Sequence, residues 1–154
     1  MKKLVIALFI ILLAATASQA KTRRIADQQG KMVSITGLQV NMRSGPGSGY
    51  PVLWKLGLGF PLEVIGKKKH WLRIRDFEGD TGWVHRQFTD KRPTVIVTKK
   101  RVNIRSGPST KDPIVGTAEY TTCFNFLERI KGWVKIEQPG GGDGWIKQNL
   151  VWGW

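Results

Sequence analysis

The chemistry that this sequence offers is binding by aromatic and basic side chains. An aromatic ring supplies a large flat contact area, Tyr and Trp add a polar atom, and a guanidinium group recognises anions. The candidate ligand-binding residues are Tyr50, Trp54, Trp71, Trp83, Arg43 and Arg73. The alternative for each tryptophan is a lid that packs across a neighbouring strand.

Residues that could support catalysis or hold a metal ion do not form a recognisable constellation. His70 and His85 lack a third ligand at metal-site spacing, and Cys123 has no His in its half of the chain. We interpret the histidines as surface residues and Cys123 as a buried structural thiol, with an intermolecular disulfide as the alternative. The acidic residues within 76–80 fit ordinary turn chemistry. We therefore expect no enzyme, no cofactor and no metal site.

An internal repeat organises these candidates. Residues 40–46 return as residues 102–108, a displacement of 62 residues that continues without a gap. We expect Gly45 and Gly107 in this motif to need backbone freedom where a strand ends. The same displacement carries Pro51 onto Pro113, Trp71 onto Trp133, Ile74 onto Ile136, and Gly82 and Trp83 onto Gly144 and Trp145.

Alternation of apolar and polar residues predicts short strands, and no stretch after the N-terminal segment has a helical period. Strand signals begin at Met32, and a strand is expected in the repeated motif. Leu72 and Ile74 should face a core, which places Trp71 and its counterpart Trp133 on the more accessible side. Further strands are predicted at 52–56, 61–65, 71–75 and 81–85, with a charged hairpin tip at 66–70.

The predicted domain plan has five parts. Residues 1–20 combine a basic start, a short apolar run and small residues, as a signal peptide does, with a short uncleaved anchor as the alternative. Residues 21–31 read as a flexible N-terminal arm. Module one is predicted at 32–89 and module two at 94–154, joined by a linker at 90–93 that is too short to act as a tether. The C-terminal tail 151–154 has no predicted counterpart in module one.

The chain is strongly basic, with 25 Lys and Arg against 11 Asp and Glu. Removal of the predicted signal peptide takes away Lys2 and Lys3, so 23 basic and 11 acidic residues remain and the net charge is +12. Such an excess suits anionic surfaces, including wall polymers and, weakly, anionic membrane surfaces. Export makes nucleic acid an unexpected partner, and simple solvation by Lys and Arg is the alternative.

The repeated motifs resemble the bacterial SH3-like domain family. In module one they are Asn41-x-Arg43-Ser44-Gly45-Pro46, Tyr50-Pro51-Val52, Trp71-x-x-Ile74 and Gly82-Trp83-Val84. The resemblance covers both modules and implies an all-β chain of two tandem small SH3-like barrels with mostly antiparallel strands. It also implies an exported or envelope protein, because such modules are often attached to wall-degrading enzymes and some bind peptidoglycan.

The residues and the resemblance together predict an exported non-catalytic binding protein, periplasmic or extracellular. The expected ligand is peptidoglycan or another envelope component, recognised by an aromatic and basic groove on module one. Module two has Asp112 and Gly116 at the positions of Tyr50 and Trp54, which is why module one is preferred. The alternative is an envelope protein that binds another protein and has no wall ligand.

Overall fold

The structure of the protein is a computed structural model that describes residues 31–154. The predicted signal peptide and most of the predicted arm lie outside the described residues. Lys31, which was assigned to the arm, begins the first strand because it pairs with Val64. No helix in the described part of the chain is long and apolar enough to cross a membrane.

Module one is one antiparallel sheet of seven short strands. The strands are β1 Lys31–Ile35, β2 Val40–Arg43, β3 Val52–Leu56, β4 Pro61–Lys68, β5 Trp71–Arg75, β6 Thr81–His85 and β7 Thr89–Asp90. In space they follow the order β3-β2-β6-β5-β4-β1-β7. A 3₁₀ turn, Arg86–Phe88, lies between β6 and β7.

Module two repeats this plan strand for strand. Its strands are β8 Thr94–Val97, β9 Arg101–Arg105, β10 Ile114–Glu119, β11 Cys123–Ile130, β12 Trp133–Glu137, β13 Asp143–Lys147 and β14 Val151–Gly153. Their order in space is β10-β9-β13-β12-β11-β8-β14, and the 3₁₀ turn of this module is Gln148–Leu150. The all-β, antiparallel prediction is therefore confirmed.

The hairpin between β4 and β5 is tighter than predicted. Lys67 and Lys68 pair with Leu72 and Trp71, so the strand runs on and only two residues remain in the turn. Lys69 has a φ of 53°, a left-handed conformation of the kind that two-residue hairpin turns use. The prediction of a loop over 66–70 was therefore wrong for its first three residues.

The C-terminal tail was predicted to have no counterpart in module one, and this prediction was wrong. Val151–Gly153 forms β14 and pairs with β8, in the same way that β7 pairs with β1. The 62-residue displacement places Thr89 and Asp90 at the matching positions. The residue types differ completely, so composition hid the match, and Asp90 belongs to a strand instead of the linker.

Each module has its own apolar core, built from alternate residues of its strands. Ile74 and Val84 are fully buried, as side-chain alternation predicts, and Leu72 is partly buried against them. The core of module one contains Ile35, Val40, Met42, Leu56, Leu62, Ile74 and Val84. The core of module two contains Val95, Val97, Val102, Ile104, Ala118, Phe124, Val134, Ile136 and Ile146.

The two modules meet at β8, which is buried on both faces. Val95 and Val97 belong to the core of module two, whereas Thr94 lies in the contact with module one. Thr94 Oγ1 lies 2.6 Å from Ser34 Oγ, and Ser34 Oγ donates a hydrogen bond to the Arg92 carbonyl at 2.7 Å. Both hydroxyl-bearing residues are 1% exposed. The modules are therefore joined by a buried polar contact as well as by the covalent linker.

A second contact between the modules is aromatic. The centroid of the Phe77 ring lies 6.0 Å from that of Phe60 and 5.8 Å from that of Tyr120, which belongs to module two. The Tyr120 hydroxyl donates a hydrogen bond to Glu78. This hydrogen bond to the carboxylate raises the pKa of Tyr120 above its ordinary value, because it favours the protonated phenol.

Candidate ligand-binding grooves

A groove of about 280 Å³ opens on module one between β2 and the end of β6. We call it groove one. Its lining combines aromatic rings, amides, a hydroxyl and one guanidinium group. The lining residues are Gln39, Val40, Asn41, Arg43, Ser48, Trp71, His85, Gln87 and Phe88.

One wall of groove one is a contiguous aromatic cluster. Trp71 and His85 are paired across β5 and β6, and their rings meet edge to face with 5.2 Å between centroids. Phe88 follows in the 3₁₀ turn, 6.2 Å from His85. His85 Nδ1 accepts a hydrogen bond from the Gln87 backbone N–H at 3.4 Å, which caps that turn. The cap uses Nδ1, and Nε2 is the second polar atom of the His85 ring.

Arg43 shapes the loop beside this cluster. Its Nη1 donates a hydrogen bond to the Tyr50 carbonyl at 2.8 Å, and the Ser44 N–H donates to the Pro51 carbonyl at 3.0 Å. Module two repeats the arrangement, because Arg105 Nη1 donates to the Asp112 carbonyl at 2.7 Å. The arginine of the repeated motif therefore closes a loop, and its remaining N–H groups stay available for a ligand.

Gly45 is required for a different reason from the one the sequence suggested. Neither Gly45 nor Gly107 has a positive φ, so the expected backbone freedom is not used. Instead, the Tyr50 ring covers Gly45, and a Cβ placed on this glycine would lie 2.6 Å from Tyr50 Cγ. A Cβ placed on Gly107 would overlap the Asp112 carboxylate and lie 2.8 Å from Asp112 Cγ. Close approach of the Tyr50 ring therefore excludes larger residues at Gly45, whereas the Asp112 carboxylate beside Gly107 is the end of a side chain that can move.

Four of the six predicted site residues come together on the outer face of the sheet. Arg43 pairs with Trp83, which pairs with Arg73 on the next strand, and we call these three residues the arginine row. This row neighbours the row of Trp71 and His85, since residues two apart on a strand share a face. Within residues 31–154, neither Arg43 nor Arg73 forms a salt bridge.

In the equivalent row of module two, one of the two basic residues is paired with carboxylates. Lys135 is the counterpart of Arg73. Its Nζ lies 2.8 Å from Asp143 Oδ2 and 3.8 Å from Glu128 Oε1. Its hydrogen bond to Asp143 raises the pKa of Lys135 above its ordinary value. Module one has Gly66 at the position of Glu128 and Thr81 at that of Asp143, so its row keeps its positive charge.

Tyr50 and Trp54 do not line groove one. The two side chains are 48% and 55% exposed. Trp54 pairs with Met42, whose side chain faces the core. Directly paired residues share a face of the sheet, so Trp54 and the arginine row lie on opposite faces. The role of both in ligand binding stays a prediction.

Module two carries a matching groove of about 270 Å³, which we call groove two. Each of its lining residues is the counterpart, 62 residues on, of a residue that lines groove one. The lining residues are Arg101, Val102, Asn103, Arg105, Thr110, Trp133, Lys147 and Leu150.

The tryptophans of module two are more covered than predicted. Trp133 is only 8% exposed, although it was expected on the more accessible side, and its neighbour Trp145 is also 8% exposed. Lys147 Nζ lies 6.0 Å from the Trp133 ring centroid, and Lys135 Nζ lies 5.9 Å from that of Trp145. Each ring is therefore buried with a lysine ammonium group above it.

Two aromatic members of groove one, His85 and Phe88, are not among the predicted site residues. His85 fits the pattern of a surface residue, and Phe88 follows the last strand predicted in module one. Both occupy positions whose counterparts, Lys147 and Leu150, line groove two. Reading the repeat for positions that change chemistry between the copies would have singled them out.

Cys123 is half-buried, not fully enclosed as predicted. Burial still raises the pKa of its thiol to about 12, and its Sγ lies 3.6 Å from the Thr121 carbonyl. Within residues 31–154, no group of three or more His, Cys, Asp or Glu residues could hold a metal ion.

Family models described as Bacterial SH3 domain match residues 37–91 and 100–151. The chain belongs to the bacterial SH3 domain family. The two matches confirm the predicted tandem pair of SH3-like domains, and grooves one and two occupy equivalent places in the two bacterial SH3 domains.

Similar proteins include one curated relative and several solved structures. The putative N-acetylmuramoyl-L-alanine amidase YrvJ of Bacillus subtilis (strain 168) is 24% identical over 162 residues. That match covers 98% of this chain and 31% of the relative, so the chain spans about a third of the relative's length.

Two solved structures illustrate the structural likeness. An NlpC/P60 family protein from Bacillus cereus ATCC 10987 is 17% identical, with 80% of this chain and 56% of that chain covered and a TM-score of 0.38. The endolysin LysPBC5 CBD is 22% identical, with 82% and 96% covered and a TM-score of 0.33.

Proposed function

We propose that this protein is exported, acts by binding without catalysis, and recognises peptidoglycan or another cell-envelope component through module one. Membership of the bacterial SH3 domain family supports a wall-binding role, as does similarity to a putative N-acetylmuramoyl-L-alanine amidase. The excess of basic residues suits an anionic polymer. The observation that carries the proposal is groove one, where an aromatic wall stands beside an arginine row that forms no salt bridge with any carboxylate in residues 31–154.

The geometry suggests how a ligand would be held. The Trp71 and Phe88 rings offer flat apolar area to the carbon skeleton of a sugar or peptide, and Asn41 and Ser48 offer donors and acceptors to its polar groups. Arg73 and the free N–H groups of Arg43 would meet its anionic groups. Stacking and hydrogen bonding fix position, whereas the arginines add attraction that depends on salt.

Retention on purified peptidoglycan sacculi tests the proposal. The screening length falls from about 8 Å at physiological ionic strength to about 3 Å at 1 M salt, so purely charge-based binding should be lost. We expect the parent protein to keep a salt-resistant fraction, and Trp71→Ala to abolish that fraction. The matched control changes Lys67, Lys68 and Lys69 to Gln, which should lower only low-salt retention because these residues lie outside groove one.

Circular dichroism of each variant separates loss of binding from loss of fold. Complete elution of the parent protein by salt would overturn the groove mechanism. A salt-resistant fraction that survives in Trp71→Ala would do the same, because it would place the binding surface elsewhere.

A second candidate is an envelope interaction protein, and the edge of the sheet of module one favours it. β3 is the edge strand, and its Val52, Leu53 and Trp54 side chains are 43 to 55% exposed. An apolar edge strand with unpaired backbone groups suits another protein chain. Absence of retention on sacculi, together with partner capture that Trp54→Ala removes, would select this function.

A further inference from the structure

Groove two differs from groove one in charge at two of its matched positions. Arg101 stands where groove one has Gln39, and Lys147 stands where it has His85. With Arg105, groove two therefore has three permanent cations, whereas groove one has Arg43 alone. None of the residues that line groove two is acidic.

The cations of groove two are accessible to a ligand. Arg101 forms a salt bridge with Glu119, with 3.3 Å between Nη2 and Oε1. The Arg101 side chain is 67% exposed and the Glu119 side chain 74%. Such exposed pairs are worth little, so an incoming anion can displace Glu119. Arg105 uses one N–H on the Asp112 carbonyl and keeps the others. Lys147 projects its Nζ above the Trp133 ring.

The remaining lining gives the ligand more than charge. Asn103 and Thr110 supply donors and acceptors, and Leu150 supplies an apolar contact. Guanidinium groups match the planar geometry of a carboxylate. A second depression, lined by Lys100, Arg101 and Glu119, shares Arg101 with groove two and adds one further lysine. A volume of about 270 Å³ is small for a ligand pocket, so only a few groups of a longer chain would enter.

We propose that groove two is a second, separate binding site that takes a carboxylate-bearing chain such as an acidic peptide. The site is independent of the proposed function, since its ligand need not be part of the wall. Groove one would then bind chiefly through aromatic stacking and hydrogen bonds, and groove two chiefly through recognition of a carboxylate.

Nuclear magnetic resonance of the full chain tests this site directly. Each tryptophan gives one indole N–H signal, and the Trp133 signal can be assigned from a Trp133→Phe variant. We would titrate the protein with a capped tetraglutamate peptide at constant ionic strength. Saturable movement of the Trp133 signal is expected. Capped tetraglutamine should move it much less because it lacks carboxylates, and inorganic phosphate at matched ionic strength should move it much less because it presents one anionic group instead of four linked ones.

Charge variants locate the site. Lys147→Gln and Arg101→Gln should each weaken tetraglutamate binding by about tenfold, which corresponds to about 1.4 kcal/mol. The matched control is Lys131→Gln, because Lys131 is an exposed lysine of module two outside the groove lining. A well-dispersed spectrum of each variant shows that the fold is intact.

Several results would overturn the proposal. They are an unmoved Trp133 signal, equal movement by tetraglutamine or phosphate, and equal weakening by Lys131→Gln. Because no sacculi are involved, failure here would leave wall binding through groove one intact, and failure of wall retention would leave this site intact.

Discussion

Gly45→Ala tests whether the repeated motif needs glycine because a ring covers it. The added methyl group would sit 2.6 Å from Tyr50 Cγ, whereas carbon atoms in favourable contact lie about 3.5 to 4.0 Å apart. The ring must therefore move by about 1 Å. Rotation of the ring about its own axis leaves Cγ in place, so the overlap is relieved only if the whole ring leaves its position over Gly45 and Gly47. We expect a loss of about 1 to 3 kcal/mol in the free energy of unfolding, as for other overpacked sites.

Gly107→Ala is the matched control that the repeat provides. The first atoms met there belong to the Asp112 carboxylate, the end of a side chain that can swing aside. Loss of glycine also reduces the freedom of the unfolded chain, which stabilises by about 0.4 to 1 kcal/mol where the backbone conformation is allowed. We therefore expect this variant to differ little from the parent.

Urea unfolding followed by circular dichroism measures both effects. The double variant Gly45→Ala with Tyr50→Ala should lose clearly less stability than the two single losses added together, since the overlap disappears with the ring. If Gly45→Ala and Gly107→Ala cost the same, or if the double variant is simply additive, the close-approach explanation is wrong.

The buried hydroxyl pair, the Cys123 thiol and the Asp76 carboxyl each give a further test. Ser34→Ala should lower the free energy of unfolding by about 1 to 3 kcal/mol, because the 1%-exposed Thr94 hydroxyl loses its acceptor; an unchanged urea midpoint would contradict this. With a thiol pKa of about 12, Cys123 should react with a thiol reagent at pH 8 far more slowly in the native protein than in urea, and equal rates would be inconsistent with burial. Burial raises the pKa of Asp76 above 3.8, so the folded state holds that proton more tightly than the unfolded state. Stability of the parent relative to Asp76→Asn should therefore fall as pH rises from 3.8 through the raised pKa, and parallel pH profiles would refute it.

Much of the strand layout could be predicted because the repeat and the alternation agree. The strands β3, β5 and β6 have the bounds predicted at 52–56, 71–75 and 81–85. Glycine and acidic turns bracket these strands, so both ends were marked in the sequence. The extent of β4 was missed because Lys67 and Lys68 look like turn residues until their pairing with β5 is known.

The candidate site was predicted only in part, for reasons of geometry. Trp71 and Arg43 line groove one; His85 joins them by pairing with Trp71 across β5 and β6, and Phe88 joins them through the 3₁₀ turn after β6. Trp133 is buried, and Lys147, which is 14 positions away, lies beside it through strand pairing. Neither relation appears in the alternation of a single strand.

The burial of β8 on both faces has a consequence for the order in which the protein is made. A ribosome releases the chain from its N terminus, so all seven strands of module one emerge before Thr94 does. Until then the Ser34 hydroxyl lacks the neighbour that it has in the finished structure. Module one is therefore completed by the first strand of its successor, and a chain that ends within the linker would leave that face open to water.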